Sequence, residues 1–187
     1  SRIGSLNGPT KRTFRSEPPV GLRDFVLPPG ETWSDLDRKA GSVVGCPGIA
    51  IPSIRVAIAW TLEFLGCDRH ADHVLVPGYV GRCVLNTIGR HALPVDVPTG
   101  RTKAVGVVSQ FGFRQDLHKI QAECEARAIP YMEDSPFGVE PDEALGPGSV
   151  AKFVGLSKVL PLIKGGFAIS DNEELLEFMR RKRAGRS

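Results

Sequence analysis

The chain has 187 residues, 41% of them hydrophobic and 24% charged, the usage of an ordinary globular protein with enough length for one domain and a substantial core. Its 24 basic and 21 acidic residues leave a net charge of +3, too slight to point to nucleic acid as a partner. The sequence has no signal-peptide pattern and no apolar run long enough to span a bilayer, so a soluble, cytoplasmic protein with no membrane partner is expected.

Residues 1–48 are dense in glycine and proline, as in "SEPPVGLRDFVLPPGE", and read as an irregular N-terminal arm. One short helix is expected there, at "TWSDLDRKA", with Thr32 or Ser34 as its cap. From Pro52 the pattern becomes regular, and residues 49–187 read as the main domain. "SIRVAIAWTLEFLG" is a helix capped by Ser53 and stopped by Gly66. The segment "DRHADH", with His70 and His73, reads as a solvated turn, and "HVLVP" as a short buried strand. "YVGRCVLNTIGRHA" follows as a helix weakened by Gly81 and Gly89, then "LPVDV" as a strand.

After the turn "PTGRTK", the run "AVGVVS" has the continuous apolar character of a buried parallel strand. "RQDLHKIQAECEARA" is amphipathic, with Leu117, Ile120, Cys124 and Ala128 on one face. "IPYMED", "SVAKFVG" and "GFAIS" are strands, and "DNEELLEFMRRKRAG" closes as a helix, acidic first and basic last to suit its dipole. The four cysteines (Cys46, Cys67, Cys83, Cys124) form no CxxC pair and the histidines no HExxH. No metal is therefore expected, and free thiols fit a reducing compartment.

Alternating strands and helices with short links predict an α/β three-layer sandwich around a mostly parallel sheet. Ligands of such sheets bind beyond the carboxyl ends of the strands. Asp134 ends one predicted strand, and Lys158 follows the next, so both can face one crevice. From spacing alone the two read either as a salt bridge or as a catalytic pair. Lys158 in "KFVGLSKVLPLIKGGFAIS" is either an ordinary snorkelling side chain or a chemically used amine. No GxGxxG, GxxxxGK[ST] or GxSxG motif supports a dinucleotide, NTP or hydrolase site.

In order along the chain from about Pro52 to Ser187, these segments resemble the large domain of the DegT/DnrJ/EryC1/StrS aminotransferases. These are fold-type-I pyridoxal phosphate (PLP) enzymes that act mostly on nucleotide-linked keto-sugars. "HVLVPGY" and "LPVDV" resemble the family's "VIVPAY" and "PVFVDV" strands, "IPYMEDS" its "IEDAA" strand, and "GLSKVLPLIKGGFAISDNEEL" its lysine loop. The resemblance implies PLP as cofactor, Lys158 as the Schiff-base lysine and proton-moving base, and Asp134 as the carboxylate under the pyridine nitrogen. It also implies an amino-acid donor such as glutamate, a keto-sugar acceptor and a homodimer.

The start of the first main-domain helix, Ser53, Ile54 and Arg55, falls where the family holds the cofactor phosphate. Arg55 either supplies charge there or points to solvent. Ser157 either caps a turn or contacts the phosphate. Gly165 and Gly166 allow close backbone approach near the lysine loop.

Several positions depart from the family pattern. Gly81 stands where a ring-stacking aromatic is usual, Phe137 where a polar residue is, and Phe153 where a serine is. The link "PTG" is shorter than its counterpart, and the C-terminal small domain of the family is expected to be absent. A fragment, a truncated gene product or a short relative would each read this way. The expected function is a PLP-dependent aminotransferase or part of one; the alternative is a catalytically degenerate relative that keeps the fold as a binding or assembly protein.

Overall fold

The computed structural model describes residues 32–113, 115–137, 145–158 and 165–185. Within them lie five helices, α1 (Trp33–Val44), α2 (Ile54–Phe64), α3 (Arg82–Ile88), α4 (Leu117–Ala126) and α5 (Glu173–Arg183). The strands are β1 (Gly48–Ile51), β2 (His73–Leu75), β3 (Leu93–Val95), β4 (Thr102–Val108), β5 (Tyr131–Ser135), β6 (Ser149–Gly155) and β7 (Gly166–Ile169). They form one seven-stranded sheet in the order β1-β7-β6-β5-β4-β2-β3. Pairing is parallel from β6 through β3, whereas β7 runs antiparallel to both of its neighbours, β1 and β6.

The sheet is covered on both faces. On one, α2 contributes Ala57, Ile58 and Leu62, α3 Ile88, and α5 Leu175, Leu176 and Met179. They bury alternate strand residues such as Val74, Ala104, Met132, Ala151, Phe153 and Ala168. On the other, Leu117, Ile120 and Cys124 of α4 pack on Val105, Val107 and Tyr131, as the amphipathic pattern predicts. Ala128, expected on that face, lies past the helix end with a φ of +53° and is exposed. Phe153 is fully buried in the core. These layers are the expected α/β three-layer sandwich with a mostly parallel sheet.

Local chemistry sets the helix ends. Thr32 caps α1 through a capping box: its hydroxyl accepts from Asp35 N, and Asp35 Oδ2 accepts from Thr32 N at 2.9 Å. Ser53 caps α2, and Gly66 follows it at a φ of +65°. The predicted third helix shrinks to seven residues because Gly81 and Gly89 become its two caps.

Two features differ from the sequence reading, the strand β1 and the place of His73. The helix expected at "TWSDLDRKA" is present as α1, capped by Thr32 and running on to Val44, and the unexpected element is β1, which follows it; residues 1–31 lie outside the described residues. The strand "GIAI" is short and proline-flanked, and its pairing with β7 is what makes it a strand. His73 is not on a solvated turn: it opens β2, is 6% exposed, and its Nδ1 lies 2.8 Å from Thr99 Oγ1. Finally, two charges are buried inside paired strands, Glu133 and Lys152, 3.8 Å apart and register partners across β5 and β6. Glu133 Oε1 also accepts from Gly146 N at 2.9 Å, which helps satisfy a carboxylate taken out of water.

Candidate active site

At the carboxyl edge of β4, β5 and β6, facing the N-terminus of α2, lies a cavity of about 290 Å³. Every site residue proposed from sequence lines it: Lys158, Asp134, Ser53, Ile54, Arg55 and Ser157. Three distant parts of the chain thus converge on one space. Sequence reading missed Gln110 and Cys83, which also line it. Gln110 sits just past the end of β4, the position at which a parallel strand delivers residues to a site.

Asp134 is the penultimate residue of β5, and alternation turns it toward the α2 face with Met132. It is 7% exposed, and its Oδ1 has no hydrogen-bond partner. Burial pushes the carboxyl up from 3.8 to about 6, and the Lys158 ammonium draws it partly back. At neutral pH Asp134 is therefore mostly an anion whose buried oxygen has an unmet demand for a donor.

Lys158 lies three residues beyond the end of β6, exposed at the mouth, with Nζ 4.4 Å from the centroid of the Phe137 ring. Its ammonium rests on that ring and makes no hydrogen bond to Asp134 Oδ1, so the salt-bridge alternative is not the observed arrangement. The two act on each other through charge alone.

At the opposite wall the first turn of α2 presents its N-terminal amides, which lack intrahelical acceptors. Ser53 Oγ takes one of them, Val56 N, at 3.4 Å. Ile54 and the exposed Arg55 complete this end of the cavity. The space depends on glycine: a Cβ on Gly155 would come within 2.9 Å of Ile54 Cδ1 and 3.0 Å of the Pro136 carbonyl oxygen. Of the glycine pair, Gly165 adopts a φ of +126°, and a Cβ on Gly166 would meet the Val154 carbonyl oxygen at 2.2 Å. Gly165 borders the cavity and Gly166 starts β7, so both are required by backbone geometry; Lys164 lies outside the described residues.

Gly81 also borders the cavity, and the residue able to offer a flat ring near Lys158 is instead Phe137. The described residues contain no group of three or more His, Cys, Asp or Glu side chains arranged to hold a metal. No helix among them is long and apolar enough to cross a membrane.

This sheet order and edge cavity define an α/β domain of the kind shared by solved aminotransferases. NtdA from Bacillus subtilis, solved with bound cofactor PMP, superposes with a TM-score of 0.71 at 19% identity over 80% of this chain and 39% of its own. DesV from S. venezuelae gives 0.70 at 18% identity, over 83% of this chain and 48% of its own. A DegT DnrJ EryC1 StrS aminotransferase from Brucella abortus gives 0.69 at 19%, over 79% and 48%. The DegT/DnrJ/EryC1/StrS resemblance seen in the sequence is thereby met in the fold. The chain spans less than half the length of each of these three proteins.

Residues 46–186 match the family model described as "Putative PLP-dependent aminotransferase". The chain belongs to that family, whose cofactor is PLP.

Proposed function

We propose that this chain is the cofactor-holding portion of an aminotransferase that moves an amino group from an amino acid to a keto-sugar, the acceptor being nucleotide-linked. The observation that carries the reading is Asp134: a buried carboxylate with an unpartnered oxygen, lining the same cavity as an exposed lysine. A buried anion of this kind is otherwise only a penalty to the fold. A cationic N–H donor in the cavity removes that penalty, and a protonated pyridine nitrogen is such a donor.

The residues present fit pyridoxal phosphate. Asp134 would take its ring nitrogen, Lys158 its aldehyde carbon, and the first turn of α2 its phosphate. When bound, the group supplies a carbonyl carbon that captures amines and a ring that accepts an electron pair. Asp134, whose carboxyl is raised only to about 6, would as a carboxylate favour a proton on its partner nitrogen by charge and hydrogen bonding. Lys158 Nζ, as a neutral amine, would accept and return the proton of the donor's α-carbon. Ser53 and Ser157 offer hydroxyl groups, and the α2 amides partial positive charge, to orient a phosphate dianion. The exposed Arg55 guanidinium adds charge at that end of the cavity. The small residue at Gly155 leaves room beside the lysine. An amino-acid donor and a keto-sugar acceptor would use the site in turn, and a second copy of the chain would close it as a homodimer.

One observation favours the other reading, a relative that keeps the fold as a binding or assembly protein. The resting contact of Lys158 is the Phe137 ring rather than Asp134. A single experiment separates the two. Pyridoxal phosphate is added to the purified protein, borohydride is applied, and the modified peptide is mapped. A yellow absorbance and a label on Lys158 support the aminotransferase. A folded protein that takes no label supports the binding protein, and a label on Lys164 overturns the assignment of Lys158.

A further inference from the structure

Phe111 is a large apolar side chain with 70% of its surface exposed. Its backbone also holds a φ of +55°, a conformation that non-glycine residues rarely adopt. Core packing does not account for it, since it belongs to none of the buried clusters. What it touches is Phe137, ring centroid to ring centroid 5.9 Å with the planes tilted by 39°. Phe137 in turn carries the Lys158 ammonium 4.4 Å above its own centroid. The two rings and the amine form a stack at the mouth of the cavity, beside the space that Asp134 lines from within.

We propose that Phe137, backed by Phe111, is a positioning residue for Lys158, holding its ammonium at the cavity mouth and so governing how readily the free amine meets an aldehyde. The inference rests on the reading of Lys158 as the cofactor-binding amine. Its physical basis is the negative face of an aromatic ring, which attracts a cation within about 6 Å of the centroid. That attraction acts on the ammonium and not on the neutral amine. Attack on a carbonyl carbon requires Nζ to leave the ring face, so the contact holds the side chain in its resting position. Asp134 pulls the same charge toward the cavity interior, leaving the amine between an aromatic face and a buried anion. A leucine at position 137 has comparable bulk and no such face.

The test uses the intact chain without pyridoxal phosphate. Lysines are methylated to low extent with formaldehyde and cyanoborohydride: each amine condenses with the aldehyde, loses water and receives hydride from the reagent. Peptide mass spectrometry then compares Lys158 with Lys103, which lies apart on Asp72 and the Gly66 carbonyl. Phe137→Leu is expected to raise the Lys158-to-Lys103 ratio about two- to fivefold, the range set by a solvent-exposed cation–π contact. Phe137→Tyr and Phe137→Trp, which keep a ring face, leave it near the native value. An unchanged ratio in the leucine variant overturns the proposal, as does an equal rise in all three variants. Should Phe137→Leu not fold, Phe111→Leu, at an exposed position, is read in the same way with a smaller rise. Failure of pyridoxal phosphate to label Lys158 in the native chain would instead sink the cofactor reading, and the methylation ratios do not depend on it.

Discussion

Arg183, in the last turn of α5, grips Asp37 of α1 with both arms of its guanidinium, at 2.7 and 2.8 Å. Asp37 Oδ1 also accepts from Ala50 N in β1 at 2.8 Å, and Arg183 donates to the Ala50 carbonyl at 2.9 Å. The ring of Trp33 lies 4.7 Å from the guanidinium carbon. One bidentate pair thus ties the first described helix, the edge strand and the last helix together. The basic tail of the sequence is accounted for here: it is a helix end engaged with Asp37, Glu63 and Glu173.

Both members of that pair are about one-tenth exposed, so removing one strands a charge in poor contact with water. Asp37→Ala is expected to destabilise the chain by about 2–4 kcal/mol, measured by urea unfolding. Arg183→Lys, which keeps the charge but not the fork, should lose part of that amount. A change within error for Asp37→Ala would mean the linkage does not hold α1 in solution.

Asp134 makes stability depend on pH in an unusual direction. Its carboxyl is raised from 3.8 to about 6 by burial. Between those pH values the folded chain keeps a proton there that the unfolded chain has released. Stability contributed by this group is therefore full below about pH 4 and falls as pH rises through about 6, by on the order of 3 kcal/mol. Asp134→Asn should flatten that part of the pH–stability curve and abolish labelling by pyridoxal phosphate. An identical curve for the two proteins would contradict the burial of a charged Asp134.

Lys158→Ala should leave the fold intact, because the side chain is exposed and its stacking contact is worth only about 0.5–1 kcal/mol. It removes the positive charge that holds the Asp134 carboxyl down, so that carboxyl should titrate above its native value of about 6. Carbon-detected NMR of the aspartate side chains reads this directly. A variant that unfolds shows the lysine to be structural.

The two glycines after the lysine loop should respond differently to alanine. At Gly165 the φ of +126° is the obstacle, with no atom of the described residues within 4 Å of the added carbon, and about 1–2 kcal/mol is expected. At Gly166 the new Cβ would sit 2.2 Å from a backbone oxygen, which cannot move without shifting β6, and a loss above about 3 kcal/mol is expected. Thermal unfolding of both variants checks the order; the reverse order would contradict the close approach of β7 to β6.

Much of this was legible from residue order. Alternating strand and helix patterns gave the layers, Thr32 and Ser53 mark helix starts by their side chains, and Asp134 and Lys158 fall at or just past strand ends. Other features depend on partners distant in the chain. "GIAI" has no strand signal of its own until β7 lies beside it. Glu133 and Lys152 look like surface charges in isolation, and only the parallel register sets them opposite one another. The Phe137 contact was hidden for a different reason: a phenylalanine in a loop ordinarily reads as packing, and here its ring face meets a cation.

Gly166 also sets the register of β7 on β6. A strand slipped by two residues along its neighbour keeps every side chain on its proper face yet moves the chain about 7 Å, so hydrophobic patterning does not forbid the slip. The approach of Gly166 to the Val154 carbonyl does, because none of the following residues Phe167, Ala168 or Ile169 fits in that gap. The ruler that fixes the start of β7 on the sheet is therefore an absent methyl group.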